Sequence, residues 1–238
     1  MELVDALIKV GFTRHEAVLY LALCKEGELT GYEAAKYSGI PRSNAYLALA
    51  GLVEKGGAFK IESEAARYTA VPIHELAANL RRDQEAILNF LENNIPDQTE
   101  STNPYITIIG KKQIVHKMKN IINQAEDRLY LSMAATELLV LNPELVAALG
   151  RGLKVVLITD RAIQLEQAII YNHHKQPGQV RLIADSTQVL TGELSDRPNV
   201  TCLYSMNPNL VQLIKDSLTN EIELVRLQQR GNRQKSEV

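Results

Sequence analysis

The chain has 238 residues, with 26 Lys+Arg against 28 Asp+Glu, 45% hydrophobic residues, no Trp and two Cys. At roughly 100 to 200 residues per domain that length holds one large or two small domains, and an ordinary ratio of apolar to charged residues excludes a disordered or fibrous chain. Apolar runs of only a few residues fall far short of the roughly 20 that cross a bilayer, the N-terminus lacks the order of a secretory signal, and Cys24 and Cys202 have no metal-type spacing, so a reducing cytoplasm is expected.

Residues 2–10 and 13–24 carry apolar side chains at helical spacing, and Thr13 followed by Glu16 matches a capping box. Thr30 opens a short helix that stops at Gly39. Pro41 permits a new helical start, and the pattern runs to Lys55 before Gly56-Gly57 ends it. That is helix, tight turn, helix. Residues 58–61 and 67–71 read as a hairpin around a polar loop. A long helix then runs from Pro72 to Asn94, with Ile73, Leu76, Leu80, Ile87 and Phe90 on a and d heptad positions and Asp83 and Asn94 breaking the stripe, which suits either a self-associating coil or a helix packed on its own domain. The polar stretch 95–104, with a proline near each end, divides the chain.

In a helix-turn-helix the two helices cross closely, which Ala35 and Gly39 permit. The second helix begins Pro41-Arg42-Ser43-Asn44-Ala45-Tyr46, presenting groups suited to a major groove. Arg bridges guanine O6 and N7, Asn bridges adenine N6 and N7, and Ser or a helix N-terminus takes phosphate. Tyr46 is a further candidate, Tyr32 and Lys36 are placed to touch the DNA backbone, and Lys60 and Arg67 flank the hairpin loop. Leu49, Leu52 and Val53 form the anchoring face. Residues 1–95 carry ten Lys+Arg against thirteen Asp+Glu, a balance of −3, whereas residues 34–60 hold Lys36, Arg42, Lys55 and Lys60 against Glu54 alone. Glu62 and Glu64 oppose Lys60 and Arg67, so modest, salt-sensitive affinity relying on two copies is expected.

Gly11-Phe-Thr-Arg-His-Glu-Ala-Val-Leu-Tyr, Thr30-Gly-Tyr-Glu-Ala-Ala-Lys-Tyr-Ser-Gly-Ile-Pro-Arg-Ser-Asn-Ala-Tyr and residues 49–55 together resemble the TrmB-type winged-helix transcriptional regulators over about residues 1–95. The resemblance implies a DNA-binding winged helix with residues 41–55 as the recognition helix, a long helix used for dimerisation, and a C-terminal effector domain related in fold to phospholipase D. The family's usual Leu-Glu-x-x-Gly ending appears here as Leu52-Val-Glu-Lys-Gly56, followed by an extra Gly57.

Residues 105–228 read as strand, helix, strand, helix, strand, then strands at 180–184, 188–190 and 200–204 and a final helix from Pro208 to about Leu227, a mixed α/β sheet covered by helices. Segments 152–160 and 180–193 resemble the phospholipase D-like fold. Enzymes of that fold need His-x-Lys-x-x-x-x-Asp. His173 and Lys175 supply His-x-Lys, but position 180 is Val, so phosphodiester hydrolysis is a rival reading without its motif. His173 and His174 are adjacent and diverge by about 100° on a helix, which does not suit one metal. No metal, cofactor or catalytic residue is expected. Ligands of open sheets tend to lie beyond the carboxyl ends of strands, which puts Ser132, Thr159, Asp160 and Ser205 forward as effector-binding candidates.

The sequence thus predicts an α+β multi-domain chain: winged helix-turn-helix at 1–71, dimerisation helix at 72–95, linker at 96–104, phospholipase D-like α/β effector domain at 105–230 and a flexible tail at 231–238. Its expected role is a cytoplasmic, homodimeric, sequence-specific regulator that binds double-stranded DNA and answers to a small-molecule effector. A protein-interaction module without DNA binding is the other rival, motivated by the −3 balance.

Overall fold

The computed structural model describes residues 1–63, 65–96 and 105–236, and only the backbone of 229–236. Residues 97–104 of the expected linker, Glu64 of the expected wing and residues 237–238 of the expected tail lie outside the described residues. The chain divides into two compact units, Met1–Gln98 and Thr99–Val238.

In the first unit, α1 (Leu3–Lys9), α2 (Arg14–Glu26), β1 (Leu29–Thr30), α3 (Gly31–Ser38) and α4 (Arg42–Glu54) precede a hairpin of β2 (Ala58–Ile61) and β3 (Arg67–Ala70), and α5 (Ile73–Asn94) follows. Local chemistry sets most of these boundaries. Thr13 and Thr30 each build a capping box with the Glu three residues on, so α2 and α3 start where two backbone donors find side-chain acceptors. Gly39 ends α3 in the left-handed region, and Pro41 precedes the first turn of α4. The short strand β1, which the sequence pattern does not show, pairs with β3 and gives a three-stranded sheet in the order β1-β3-β2. The core gathers Leu19, Leu23, Leu49, Leu52 and Leu76.

The doubled glycine after α4 has two separate uses. Gly56 takes a positive φ of 69° and closes the helix, its N–H donating to Val53 O at 3.1 Å. Gly57 donates to Leu52 O at 2.7 Å and lies so tightly against Leu52 and Phe12 that a Cβ would collide with the leucine.

The second unit comprises β4 (Tyr105–Ile109), α6 (Lys111–Gln124), β5 (Arg128–Ser132), a short α7 (Ala135–Leu138), α8 (Asn142–Gly150), β6 (Lys154–Thr159), β7 (Ile169–Asn172), β8 (Gln179–Ala184), β9 (Gln188–Glu193), β10 (Thr201–Ser205) and α9 (Pro208–Ser236). The seven strands lie in the order β4-β10-β9-β8-β5-β6-β7. β5, β6 and β7 are parallel neighbours and the other pairings are antiparallel. One face, with Leu129, Leu131, Leu157 and Leu182, packs with α6 residues Ile114, Met118 and Ile121. On the other, Ile158, Ile183 and Val189 meet Val211 and Leu218 of α9.

Two differences from the sequence reading concern this unit. β7 fills a stretch left without a strand, because four residues of a parallel edge offer no alternation to read. The last helix does not end near Leu227. It continues through Ser236, including residues 231–236 of the expected flexible tail, since Gln, Arg and Lys have good helix propensity although they carry no apolar stripe.

Candidate nucleic-acid interface

On α4, Ala45, Ala48, Leu49 and Leu52 are buried. At 100° per residue the line directly opposite holds Ser43, Leu47, Ala50 and Glu54, within about 60° of one another, and all four are exposed. Of the three polar residues expected to read DNA, only Ser43 lies on this outward ridge. Arg42 falls on the flank toward α3, and Asn44 on the other flank.

Arg42 is held where it lies. Its guanidinium carbon sits 4.3 Å from the centroid of the Tyr32 ring on α3, a cation–π contact that uses the flat face of the group and leaves its in-plane N–H donors open. Tyr46, half-exposed on the same flank, covers Gly31 at the start of α3, where a Cβ would clash with the edge of the Tyr46 ring. The first turn of α4 is therefore braced against α3 by an arginine–tyrosine stack and a tyrosine–glycine contact.

The positive charge of residues 34–60 is partly consumed within the unit. Lys55 donates to Glu16 at 2.7 Å and to Gly11 O at 3.0 Å. Burial raises the Glu16 carboxyl, yet the Lys55 ammonium and the Thr13 N–H outweigh it and hold the group below its usual range. Lys60 lies 3.6 Å from Glu62, and Arg67 pairs with Glu28 at 2.6 Å and approaches Glu33 at 3.9 Å. Among the described residues, Lys36 and Arg42 have no carboxylate within ion-pair distance.

The expected dimer stripe on α5 divides into a buried part and an exposed part. Leu76, 1% exposed, belongs to the unit's own core, and Leu80 packs against that core. Ile87 and Phe90 are 60% and 65% exposed, with Leu88 and Leu91 beside them, and Ile73 is also exposed. Heptad position alone could not separate the two, because an apolar residue on a helix looks the same whether its partner is inside or outside the subunit.

In the second unit, Ser132 and Thr159 end the neighbouring parallel strands β5 and β6, and Asp160 follows. Asp160 accepts the Ala135 N–H at 2.8 Å, and so caps the start of α7. Ser205 is not with them: β10 runs antiparallel to its neighbours, and Ser205 pairs with Val189 toward the other end of the sheet. Ser132, Thr159 and Ser205 are all buried. Ser132 accepts from Lys175 at 2.7 Å, and Lys175 in turn meets Glu221 of α9. Arg181 joins Glu221 at 3.2 Å. With its side chain 2% exposed, Lys175 helps fasten α9 to the sheet, so the lysine of the residual His-x-Lys is buried while His173 is partly exposed.

A cavity of about 520 Å³ in this unit is lined by Lys111, Glu137, Gly178, Glu193, Asp196 and Arg197, with Thr136 and Ser195 among its other walls. Burial pushes the Glu137 carboxyl up, against the lowering effect of the Gly178 N–H, which it accepts at 2.7 Å. Its other oxygen has no partner among the described residues. Sequence does not show this cavity, because its walls come from four separate segments. Among the described residues no group of three or more His, Cys, Asp or Glu is placed to hold a metal, and no helix is long and apolar enough to cross a membrane. Cys202 is buried, which pushes its thiol up to about 11, whereas Cys24 is exposed.

Two family models match the chain. "Sugar-specific transcriptional regulator TrmB" covers residues 7–74 and "Transcriptional regulator TrmB, EBD N-terminal subdomain" covers residues 105–221. The uncharacterized protein YrhO of Bacillus subtilis (strain 168) is 29% identical over 236 residues, 94% of this chain and 86% of that protein. Among solved structures, that of TrmBL2, an archaeal chromatin protein described as showing a novel mode of DNA binding, is 19% identical and covers 93% of this chain and 96% of its own, with a TM-score of 0.48. NucT from Helicobacter pylori, 12% identical with a TM-score of 0.43, covers 52% of this chain and 98% of its own. Nuc from Salmonella typhimurium, a phospholipase D family member, is 15% identical with a TM-score of 0.41, and covers 50% of this chain and 93% of its own.

Proposed function

Because the chain belongs to the TrmB family and is a DNA-binding transcriptional regulator, we propose that it works as a homodimer, each copy laying α4 in a major groove of double-stranded DNA. Residues 1–71 form the winged helix, 72–95 the dimerisation helix and 105–230 the effector domain. Arg42 and Ser43 engage base edges, Asn44 and Tyr46 flank them, Lys36 approaches a phosphate, and Tyr32 holds Arg42 in place with its ring. Lys60 adds a weak wing contact, while Arg67 holds the wing to Glu28 and Glu33. The two copies meet through Ile73 and through the apolar half-turns of α5 at Ile87, Leu88, Phe90 and Leu91. Leu76 and Leu80 serve the fold of each copy instead. The operator is a pseudo-palindrome whose half-sites lie about one helical turn, or a multiple, apart.

The second unit answers to a small molecule. The word "sugar-specific" in the description of the matched family and the carboxylates, hydroxyls and cations around the cavity support a polyhydroxylated effector there. Ser132, Thr159 and Asp160 shape the neighbouring strand ends, and Ser205 has no part in that site. Effector binding regulates only if it favours one spacing of the two α4 helices over another. The protein works in the cytoplasm without cofactor or catalysis.

The observation that carries the DNA reading is the outward ridge of α4, braced by Arg42 on Tyr32 and backed by a fully buried opposite face. The test is capture and sequencing of genomic fragments by the purified protein, with sedimentation of the same sample. A recurrent two-half-site sequence bound by a dimer is expected, along with loss of both dimer and operator binding in Ile87→Glu/Phe90→Glu. Capture of fragments with no shared sequence, or tight operator binding by a monomeric variant, would refute it.

A further inference from the structure

We propose that Leu47 reads the 5-methyl group of a thymine in the operator and is a specificity-determining residue of the recognition helix. The inference rests on the DNA-binding reading and adds a contact of a different kind, apolar where Arg42 and Ser43 are polar.

Leu47 is 76% exposed, although no apolar residue on the opposite face of the same helix exceeds 8%. It stands on the outward ridge, one turn beyond Ser43 and one before Ala50, so the ridge's neighbours are small and leave its side chain prominent. It is not among the residues of the apolar groove that α1, α2 and α5 form with Leu3, Leu7, Tyr20 and Leu76. The first carboxylate on the ridge, Glu54, lies seven residues farther on, about 10 Å along the helix.

A major groove offers hydrogen-bonding edges and a single kind of apolar group, the thymine methyl. A leucine projecting from the middle of the ridge would leave those polar edges unpaired unless it met that methyl. Four residues separate it from Ser43, a rise of about 6 Å, against roughly 3.4 Å between base pairs. The thymine is therefore one or two base pairs from the base that the first turn of α4 engages.

The experiment takes an operator captured from the genome, replaces each thymine in turn by deoxyuridine, which removes only the methyl, and measures the dissociation constant of the full chain. At one position in each half-site the wild-type protein should lose about fourfold per methyl removed. Leu47→Ala should bind the thymine and deoxyuridine versions of that position equally, with unchanged thermal unfolding because the side chain is exposed. The proposal is overturned if Leu47→Ala keeps the preference for thymine, or if no position discriminates while the wild type still prefers operator to random DNA. A wild-type protein that selects no DNA overturns the DNA-binding reading itself, a result distinguishable from either.

Discussion

Replacing Tyr32 by Leu keeps an apolar side chain of similar reach and removes the π face on which Arg42 rests, 4.3 Å from the ring centroid. Both residues are exposed, so the stack is worth about 0.5–1 kcal/mol, a two- to fivefold weakening of operator binding if Arg42 must be held in place to read a base. Arg42→Ala removes the reader itself and should cost about 1–3 kcal/mol on the operator. If Tyr32 acts through Arg42, then Tyr32→Leu should cost nothing further in the Arg42→Ala background, and Tyr32→Phe, which keeps the ring, should match the wild type. A direct phosphate contact by the hydroxyl predicts something else: Tyr32→Phe would then weaken operator and random DNA alike. Fluorescence anisotropy with labelled operator and scrambled duplexes at one fixed salt concentration separates the two. Additive losses in the double variant, or equal losses on both duplexes, would refute the positioning argument.

The Glu16–Lys55 pair that ties α2 to the end of α4 should show in a pH series. Because the Glu16 carboxyl is held below its usual range in the folded protein, its stabilisation is present above the unfolded carboxylate pKa and is lost as pH falls through the folded value. Glu16→Gln should therefore cost about 1–2 kcal/mol in urea unfolding at pH 7, discounted for the 40% exposure of the Lys55 side chain, and much less at pH 3. A cost independent of pH would exclude the charged pair as its source. Gly31→Ala should destabilise by about 1–3 kcal/mol, since its methyl needs the space that the Tyr46 ring occupies, and the penalty should largely vanish in Tyr46→Ala. An equal penalty in both backgrounds would place the strain elsewhere.

The features that sequence exposed most clearly are those whose chemistry is local. Thr13 with Glu16, Gly39 before Pro41, and the glycine at the end of α4 each satisfy backbone groups within a few residues, so residue type and spacing suffice. The features it hid depend on what lies across space. Lys175, Ser132, Arg181 and Glu221 are scattered over ninety positions, and nothing in their spacing predicts one buried cluster. Leu47 is the same difficulty inverted: an apolar residue on an amphipathic helix reads as core, and only its angular distance from Ala45, Leu49 and Leu52 shows it facing outward. Sequence groups Ser205 with the other strand ends because it gives the end of a strand but not its direction in the sheet.

Charge supplies a physical argument for the proposed dimer. The four cations of residues 34–60 suggest a basic surface, but Lys55 is committed to Glu16 and Lys60 lies beside Glu62, while Arg67 in the wing is held by Glu28. Among the described residues, Lys36 and Arg42 are then the cations of this region without a nearby carboxylate, and with Arg42 assigned to a base edge few phosphates are neutralised and few counterions released. Affinity from so few contacts is weak for a single winged helix in a unit whose net charge is negative. Joining two copies converts the second docking into an intramolecular event with a high effective concentration, and it requires both half-sites at a fixed separation. In the proposed dimer the same acidic residues that weaken each copy would suppress binding to random DNA, where the second copy gains only the nonspecific part, and would make the spacing of the pair the quantity on which the proposed effector acts.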